Sequence, residues 1–456
     1  MDFTIPIIIG GCSQPADKGG LALKFVLIGG GSFVFAPTVL EDIIVKHKLA
    51  NDELVLVDLN AEAVEAMSGA AQRIAKEMGV SVDISAVTDR RSALSGADYV
   101  IVSASPQGAR RWKMDFDILH EFGMADQARE CGGLGGLLNA FRSITMLMEI
   151  CRDIEELCPG AILLDVTNPM PRVVTAIDRY TSIRSAGFCN IAYQGPNGYA
   201  FLPRLIGKAP DEVEILTGGL NHFAWVLAMK DKRTGEDLLP ILTDYIRQGD
   251  WSAQSEGKHR ELRVMRRWLD TYGAIVAGAV DHHAEYLPVQ DDIHYTTTPP
   301  YHGTEEERKR RLEELQAVAT SQRDWADLFH HGSWEHPVDI ALALYRGEVK
   351  SVDILNVRNQ GAIRQLPTER IVEVPILISN GLWTPVSLPD FPQGLADLCR
   401  VISDVFELTA ESAVNGDRLI AHKIVDLDPA ITDKKNAHMA LDRMLEIHAD
   451  MLPQFC

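Results

Sequence analysis

The segment that decides the fold is Leu23-Ala-Leu-Lys-Phe-Val-Leu-Ile28, which runs directly into Gly29-Gly-Gly-Ser32. A short apolar run closed by glycines is typical of a buried strand. Apolar residues then recur at helical spacing from Pro37 to His47. The segment therefore predicts a strand, a tight turn and a helix.

The same alternation continues along the first half of the chain. Further strands are predicted at Leu54–Val57, Tyr99–Val102, Ala161–Leu164 and Ser185–Phe188, and helices at Ala61–Met78, Gly136–Leu157 and Val173–Tyr180. Parallel strands are joined by helices that cover both faces of their sheet. This order therefore predicts an α/β protein with a Rossmann-type parallel sheet.

The alternation stops near residue 205, and predicted helices dominate the rest. Two strands are expected there, at Glu214–Leu216 and Phe223–Lys230, and four helices, at Lys258–Tyr272, Glu305–Ser321, Leu395–Asn415 and Asn436–His448. We therefore expect an N-terminal extension over 1–22, a Rossmann-type domain over 23–205 and a second, mostly helical α+β domain over 206–456.

The composition favours a soluble protein. Of the 456 residues, 44 are Lys or Arg and 64 are Asp or Glu, so the net charge is −20. This excess of acid argues against a nucleic acid or an anionic membrane as a partner. No apolar run approaches the ~20 residues of a membrane span. Seven cysteines are too sparse for a disulfide framework, so we expect a reduced, cytoplasmic location.

The first twelve residues, MDFTIPIIIGGC, do not read as a signal peptide, because the apolar stretch is short and no Lys or Arg precedes it. An edge strand or a loose tail is expected there. Ile9-Gly-Gly-Cys12 faintly resembles a lipoprotein cleavage box.

The glycine turn predicts a dinucleotide site. Glycines let the backbone approach a pyrophosphate, and the following helix start offers free N–H groups. Gly29 and Gly31 fit the G-x-G-x-x-G pattern, but the third position holds Val34, so a plain tight turn is the alternative. Asp58 ends the next strand, where an acid accepts ribose hydroxyls and repels a 2′-phosphate, which favours NAD over NADP. The predicted cofactor-binding residues are Gly29, Gly31, Ser32, Phe33, Asp58, Ser103 and Asn168.

Asn168, in Thr167-Asn-Pro169, follows a predicted strand of the sheet. Loops at the carboxyl ends of such strands face the ligand crevice. A side-chain amide both donates and accepts hydrogen bonds, which suits a sugar hydroxyl. The alternative is a turn-forming Asn-Pro pair.

Cys189 and His222 are candidate metal ligands. Cys189 lies in Gly187-Phe-Cys-Asn190, just beyond a strand, and His222 begins an apolar strand. Two protein ligands would leave positions for water and substrate oxygens, as a Lewis-acid catalyst requires. A buried core cysteine and a structural histidine are the alternatives.

The segment Asp281-His-His-Ala-Glu-Tyr286 is dense in titratable groups, so it is a candidate for acid–base chemistry or for a third metal ligand. A polar loop or a helix start is the alternative. Arg110 and Arg111 follow another strand and are candidates for contact with an anionic substrate group or a phosphate. Solvated surface arginines are equally consistent with the pattern.

Taken in order, these motifs resemble glycoside hydrolase family 4, the NAD- and manganese-dependent glycosidases. The resemblance covers about residues 23 to 430. Within the family, the sequence is most similar to the members that act on α-galacturonides and related α-glycosides. It is carried by Gly29-Gly-Gly-Ser32, Asp58, Arg129-Glu-Cys-Gly-Gly-Leu-Gly-Gly136, Thr167-Asn-Pro-Met170, Gly187-Phe-Cys189, Gly219-Leu-Asn-His-Phe-Ala-Trp225 and His282-His-Ala-Glu-Tyr286.

The resemblance implies a Rossmann domain like that of lactate and malate dehydrogenases, which binds NAD. It also implies Mn²⁺ or another divalent metal on Cys189 and His222. A small-molecule glycoside is the implied partner, and the second domain carries substrate, metal and subunit contacts in a dimer or tetramer. The expected substrate-binding residues are Asn168, Asn190, Arg110, His282 and Glu285.

The implied chemistry is an elimination helped by a recycled hydride. C3 of the sugar is oxidised by NAD, C2 is deprotonated, the glycosidic oxygen leaves, water adds and C3 is reduced again. Some relatives carry an acidic Asp after the metal cysteine, where this chain has Asn190. Asp281 is the expected base, with Tyr272 as the alternative, and His282 is a further catalytic candidate.

Two other functions fit the same motifs. A dehydrogenase of a sugar or hydroxy acid would release NADH in proportion to substrate. A non-catalytic NAD-binding regulator would turn over no glycoside.

Overall fold

The computed structural model describes residues 22–189, 201–288, 305–331 and 335–456. The predicted N-terminal extension over 1–22 therefore lies outside the described residues except for residue 22. The predicted site residue Asn190 also lies outside them. None of the described helices combines the length and the apolar character that a bilayer crossing requires.

The strands of the first half form the predicted parallel sheet. They are β1 (Lys24–Ile28), β2 (Glu53–Val57), β3 (Asp83–Val87), β4 (Tyr99–Val102), β5 (Ile162–Asp165) and β6 (Arg184–Gly187). Their spatial order is β3-β2-β1-β4-β5-β6, with every neighbouring pair parallel. This is the doubly wound order whose switch point lies between β1 and β4, so the predicted Rossmann-type fold class is confirmed.

Helices cover both faces of this sheet. In the first half they are α1 (Ala36–Leu40, continued as a π-helix over Glu41–Lys46), α2 (Ala61–Met78), α3 (Arg90–Leu94), α4 (Gly108–Glu121), α5 (Gly133–Leu157), α6 (Met170–Tyr180) and α7 (Leu202–Leu205). Short 3-10 turns lie at Ala125–Gln127 and Pro210–Glu212.

Alternate residues of β1 show why the sheet is buried on both sides. Phe25 and Leu27 pack in the cluster that contains Met67 of α2, whereas Val26 packs on the other face with Phe141 of α5. Every residue of the strand is therefore apolar apart from Lys24, which is the sequence signature of a parallel sheet.

The second half continues the same sheet with antiparallel strands. They are β7 (Val213–Leu220), β8 (Phe223–Asp231), β9 (Ile275–Val276), β10 (Lys350–Arg358), β11 (Ile371–Ser379) and β12 (Leu382–Pro385). Beyond β6 the order is β10-β11-β7-β8-β9, and β12 pairs with β11. The single pairing of Asn356 with Gly187 joins the two halves of the sheet.

The remaining helices are α8 (Leu239–Gln248), α9 (Glu256–Tyr272), α10 (Val280–Ala284), α11 (Glu305–Ala319), α12 (Pro337–Tyr345), α13 (Gln393–Asn415), α14 (Arg418–Leu427) and α15 (Lys434–Ile447). Further 3-10 turns lie at Trp325–His331 and Pro453–Phe455. The predicted mixed α+β character of the second half is confirmed. The division at residue 205 remains a prediction, since one sheet crosses it.

Candidate active site

The glycine turn packs so closely on neighbouring strands that side chains are excluded. Gly29 has φ of +91°, and a Cβ there would overlap the carbonyl oxygen of Ser103. The backbone N–H groups of Gly29 and Gly30 both donate to the carbonyl of Val57, at 2.8 and 2.9 Å. The turn therefore lies at the carboxyl ends of β1, β2 and β4, where a dinucleotide binds in this class of sheet.

Asp58 reaches this turn from the end of β2. Its Oδ2 accepts the N–H of Gly31 at 3.0 Å, and its Oδ1 accepts the N–H of Asn60 at 2.9 Å. The Oγ of Ser32 accepts the N–H groups of Val34 and Phe35. The structure thus brings the predicted acid and the predicted turn together, and the carboxylate helps to hold the turn in shape.

An apolar crevice opens beside the turn. Leu27, Ile101 and Val166, from the ends of β1, β4 and β5, line it together with Ser103, and Pro337 closes it from the second half of the chain. Apolar walls fit the ring faces of a dinucleotide, and a turn made of glycines lets the pyrophosphate approach its backbone. The residues present therefore fit the predicted NAD.

Asn168 lies at the next strand end along the sheet, before a cis Pro169. Its Nδ2 donates to the Oε1 of Glu130 at 3.3 Å, while its carbonyl accepts the hydroxyl of Ser143 at 3.1 Å. The side-chain amide nitrogen is therefore engaged, and Glu130 sets the orientation of the side-chain amide.

Glu130 was not among the predicted site residues. It belongs to the glycine-rich segment that leads into α5, and the signal that could have found it is an acid inside a run of glycines before a helix. A Cβ on Gly132 would overlap the carbonyl oxygen of Glu285. Gly132 is therefore required by the close packing against Glu285, whereas a Cβ at Gly135 or Gly136 would overlap the backbone of residues 127–131.

Glu285 links the glycine-rich segment to residues 284–287 by hydrogen bonds. Its Oε2 accepts the backbone N–H groups of Cys131 and Gly132 at 2.7 and 3.0 Å. In the other direction, Arg129 donates to the carbonyls of Ala284, Glu285 and Leu287. This two-way contact carries the 281–286 segment to the site.

The two predicted metal ligands meet. The Sγ of Cys189 lies 3.4 Å from the Nε2 of His222. Bonds of about 2.3 Å to sulfur and about 2.1 Å to nitrogen place two ligand atoms about 3.1 Å apart at a right angle and about 3.6 Å apart at the tetrahedral angle. The observed spacing therefore fits two ligands of one ion.

His222 lies in a hairpin turn, a type of connection that is usually exposed to solvent in proteins. Asn221 and His222 form the two-residue connection between β7 and β8, where Leu220 pairs with Phe223, and His222 has φ of +59°. Both side chains are nevertheless buried. Burial lowers the pKa of His222 to about 3, so its ring is neutral, as a metal ligand must be.

A buried carboxyl supports the turn from β11. The Oε2 of Glu373 accepts the amide N–H groups of Asn221 at 2.6 Å and of Asn356 at 3.2 Å. Asn356 in turn pairs with Gly187, two residues before Cys189. Glu373 therefore stands between the strands that carry the two candidate ligands.

His282 and Glu285 complete the cluster. The ligand atoms of His222, His282 and Glu285 all lie within 4.8 Å of one another. Burial favours the neutral ring of His282, but the carboxylate of Glu285, 3.4 Å from its Nδ1, outweighs burial and raises the pKa to about 9. A cation bound between these groups would take the place of that proton.

The neighbouring candidates have different surroundings. The rings of His283 and Tyr272 both pack against Trp225, with centroid distances of 6.0 and 5.8 Å, and the nitrogens of His283 contact the carbonyls of Ala224 and Ala279. Asp281 lies in the first turn of α10 and its Oδ1 accepts the N–H of His282. Of these, Asp281 is the group held beside the His222–His282 cluster.

The two predicted arginines, Arg110 and Arg111, are neighbours in α4 but have different surroundings. Arg110 lies at the exposed start of the helix and contacts Gln107. Arg111 is buried and donates to Asp450 and contacts His448. The structure therefore leaves Arg110 available to a ligand and commits Arg111 to the packing of the C-terminal segment.

Comparison with known proteins gives one consistent result. Residues 24–197 match the model of the family 4 glycosyl hydrolases, and residues 217–431 match the model of the C-terminal domain of that family. The chain is 28% identical over 441 residues to an α-galactosidase of Bacillus subtilis, and the alignment covers 95% of this chain and 99% of the relative. An α-galacturonidase of the same organism is 26% identical, covering 93% and 97%.

The fold is also shared with solved structures. A 6-phospho-α-glucosidase from gut microorganisms, solved in complex with NAD and Mn²⁺, is similar with a TM-score of 0.75 at 21% identity, covering 95% of this chain and 99% of the other.

Proposed function

The chain belongs to family 4 of the glycosyl hydrolases, and from this premise we propose that it hydrolyses a glycoside with the help of NAD and a divalent metal, Mn²⁺ by preference. The observation that carries the proposal is the 3.4 Å approach of Cys189 Sγ to His222 Nε2. A thiolate–imidazole pair supplies two ligands for a catalytic metal, and the family match separates a glycosidase from a metal-dependent dehydrogenase. The name of the solved relative, a complex with NAD and Mn²⁺, supports the same assignment.

The residues of this chain divide the work between them. When bound, NAD supplies a reversible hydride acceptor for C3 of the sugar, and the metal supplies a Lewis acid for the oxygen on that carbon. The glycine turn at Gly29–Gly31, braced by Asp58, would admit the dinucleotide phosphates close to its backbone. Cys189 and His222 would hold the metal.

Asn168 and Glu130 orient the sugar. Since Glu130 accepts the amide N–H of Asn168, the amide oxygen is aimed at a hydroxyl of the ligand. Fixing one hydroxyl beside the crevice selects which C–H faces the nicotinamide. Positioning of this kind contributes several kcal/mol to a barrier when the reacting atoms are held about 3–3.5 Å apart.

Asp281 is the proposed base for C2. Asp281 directly precedes His282 in the sequence. The ring centroid of His282 is 4.6 Å from that of His222, so Asp281 is the neighbour in sequence of a residue of the metal cluster. Tyr272 is the second candidate, and its described ring contact is with Trp225. The variants D281N and Y272F separate them: the true base is the residue whose loss abolishes C2–H exchange while NAD binding persists.

An α-glycoside of galactose or galacturonic acid is the proposed substrate class. The names α-galactosidase and α-galacturonidase among the relatives support it. Relatives named 6-phospho-β-glucosidase differ in both anomer and C6 group. Arg110, exposed on α4, is the proposed contact for an anionic C6 group.

A panel of nitrophenyl glycosides tests the proposal. It should contain the α-galactoside, the α-galacturonide and the 6-phospho-β-glucoside, each assayed with NAD⁺, Mn²⁺ and a thiol reductant. We expect nitrophenol release without accumulation of NADH, and deuterium from D₂O at C2 of the product sugar. Stoichiometric NADH would indicate a dehydrogenase instead, and NAD binding without any turnover would indicate a regulator.

We also propose that the protein is a cytoplasmic homo-oligomer, a dimer or tetramer. Light scattering behind size-exclusion chromatography gives the mass directly. A monomeric mass at working concentration would contradict this part of the proposal.

A further inference from the structure

Two histidines face each other on the C-terminal helices, apart from the candidate active site. His422 of α14 and His438 of α15 have their Nδ1 atoms 2.8 Å apart. Their ring centroids are 5.0 Å apart and the ring planes differ by 31°. The side chains are 29% and 32% exposed, so the pair is reachable from solvent.

The far nitrogen of each ring faces a carboxylate. The Nε2 of His422 lies 3.2 Å from Asp442 Oδ1, and the Nε2 of His438 lies 2.9 Å from Asp426 Oδ1. An ionised carboxylate only accepts hydrogen bonds, so each Nε2 carries the hydrogen. A neutral imidazole has one N–H, and both Nδ1 lone pairs are therefore aimed into the same narrow gap.

Two lone pairs 2.8 Å apart repel unless a positive charge lies between them. A shared proton or a metal ion satisfies this requirement. The carboxylates of Asp426 and Asp442 flank the pair and favour a cation, and Arg418, which donates to Asp442 Oδ1 at 3.2 Å, offsets part of that negative charge. Histidines whose second nitrogen is held by a carboxylate are the arrangement that orients metal ligands in proteins.

We propose that His422 and His438 form a second metal site, which takes a late first-row transition ion. Bonds of about 2.0–2.1 Å place two nitrogen ligands about 2.9 Å apart at a right angle and about 3.4 Å apart at the tetrahedral angle. The observed 2.8 Å is close to the right-angle value, but the centroid separation of 5.0 Å shows that the rings face each other nearly end to end, so each ring would have to turn before both lone pairs point at one ion. Imidazole ligands suit Zn²⁺, Ni²⁺ and Cu²⁺, with Cu²⁺ bound most tightly, rather than Mg²⁺ or Mn²⁺.

Such an ion would join α14 to α15, because each helix supplies one ligand. The Asp carboxylates would act as positioning residues that fix the tautomer of each ring. The site is independent of Cys189 and His222 and does not rest on the glycosidase activity.

The test counts Cu²⁺ bound to the full-length, tag-free protein carrying C456S, which removes the exposed thiol, by calorimetry and by the nitrogen hyperfine pattern in electron paramagnetic resonance. We expect the wild type to bind two equivalents. H422A, H438A and the double variant C189S/H222A should each bind one, and the triple variant C189S/H222A/H422A none. The exposed His120 supplies the matched control H120A, which should keep both equivalents.

The conservative variants D426N and D442N give a second readout. We expect each to weaken Cu²⁺ binding at this site by about 10- to 100-fold without loss of fold, since a carboxylate that holds the far nitrogen of a ligand ring contributes about that factor. If C189S/H222A binds no Cu²⁺, or if H422A and H438A bind as much as H120A, the proposal is overturned and the pair holds only a proton. Failure of the glycosidase assays would leave this count unchanged, so the two proposals fail separately.

Discussion

Replacing Glu373 by glutamine tests the buried support of the His222 turn. The side chain is fully buried, and this burial raises the pKa of its carboxyl from 4.5 to about 7, against the opposing hydrogen bonds from Asn221 and Asn356. Glutamine has nearly the same shape and keeps an oxygen that accepts these amide N–H groups. The substitution therefore removes the ionisation and little else.

The size and sign of the effect follow from the pKa. A rise from 4.5 to about 7 corresponds to about 3 kcal/mol, at about 1.36 kcal/mol for each pKa unit. The folded state favours the protonated acid, so this contribution is fully present below pH 4.5 and is lost as the pH rises through about 7. Above that pH the wild type carries an unfavourable buried charge, whereas E373Q does not.

Urea denaturation of both proteins at about pH 5 and about pH 8.5 measures the difference. At each pH we compare the free energy of unfolding of E373Q with that of the wild type. We expect this difference to shift in favour of E373Q by up to about 3 kcal/mol from the lower pH to the higher one. The exposed Glu121 supplies the control E121Q, which should show no such change. An equal difference between wild type and E373Q at both pH values would refute the reasoning.

A second substitution at the same position separates packing from metal binding. In E373L the amide N–H groups of Asn221 and Asn356 lose their acceptor, at a cost of about 1–3 kcal/mol each. Because Asn221 is the other residue of the His222 turn, Mn²⁺ affinity should fall by about 10- to 100-fold, while E373Q should keep it. Mn²⁺ paramagnetic resonance and NAD fluorescence titration distinguish the two losses, since NAD binding should not change.

Three further predictions concern the site. C189S should lose its response to Mn²⁺ together with glycosidase activity, and the same Mn²⁺ titration checks this; full activity would remove Cys189 from the site. D58A should raise the apparent dissociation constant for NAD by about 5- to 30-fold, equivalent to about one or two hydrogen bonds; an unchanged NAD titration would show that this carboxylate does not shape the turn. G132A should cost more than about 3 kcal/mol of stability because a Cβ there overlaps the Glu285 carbonyl, whereas G257A, where a Cβ meets open space, should be neutral in the same thermal unfolding assay.

The Rossmann half of the fold was predictable because its strands are short, apolar on both faces and closed by turns. The antiparallel half was less so. β10 shows exposed, partly buried and buried positions in turn, and β10, β11 and β12 were not predicted. β3 was also missed, because one of its five residues is buried and the apolar pattern is weak at the edge of a sheet.

Local sequence determined which chemistry the chain can carry: glycines before a helix, an acid at a strand end, a thiol and an imidazole at the starts of loops. It did not determine which groups meet. Cys189 follows β6 and His222 lies in the turn between β7 and β8, and they reach 3.4 Å although β10 and β11 lie between β6 and β7 in the sheet. Glu130, Glu373 and the facing pair His422 and His438 have their roles set by residues distant in the chain. Hydrogen bonding and desolvation depend on distance in space, and the tertiary structure alone decides that distance.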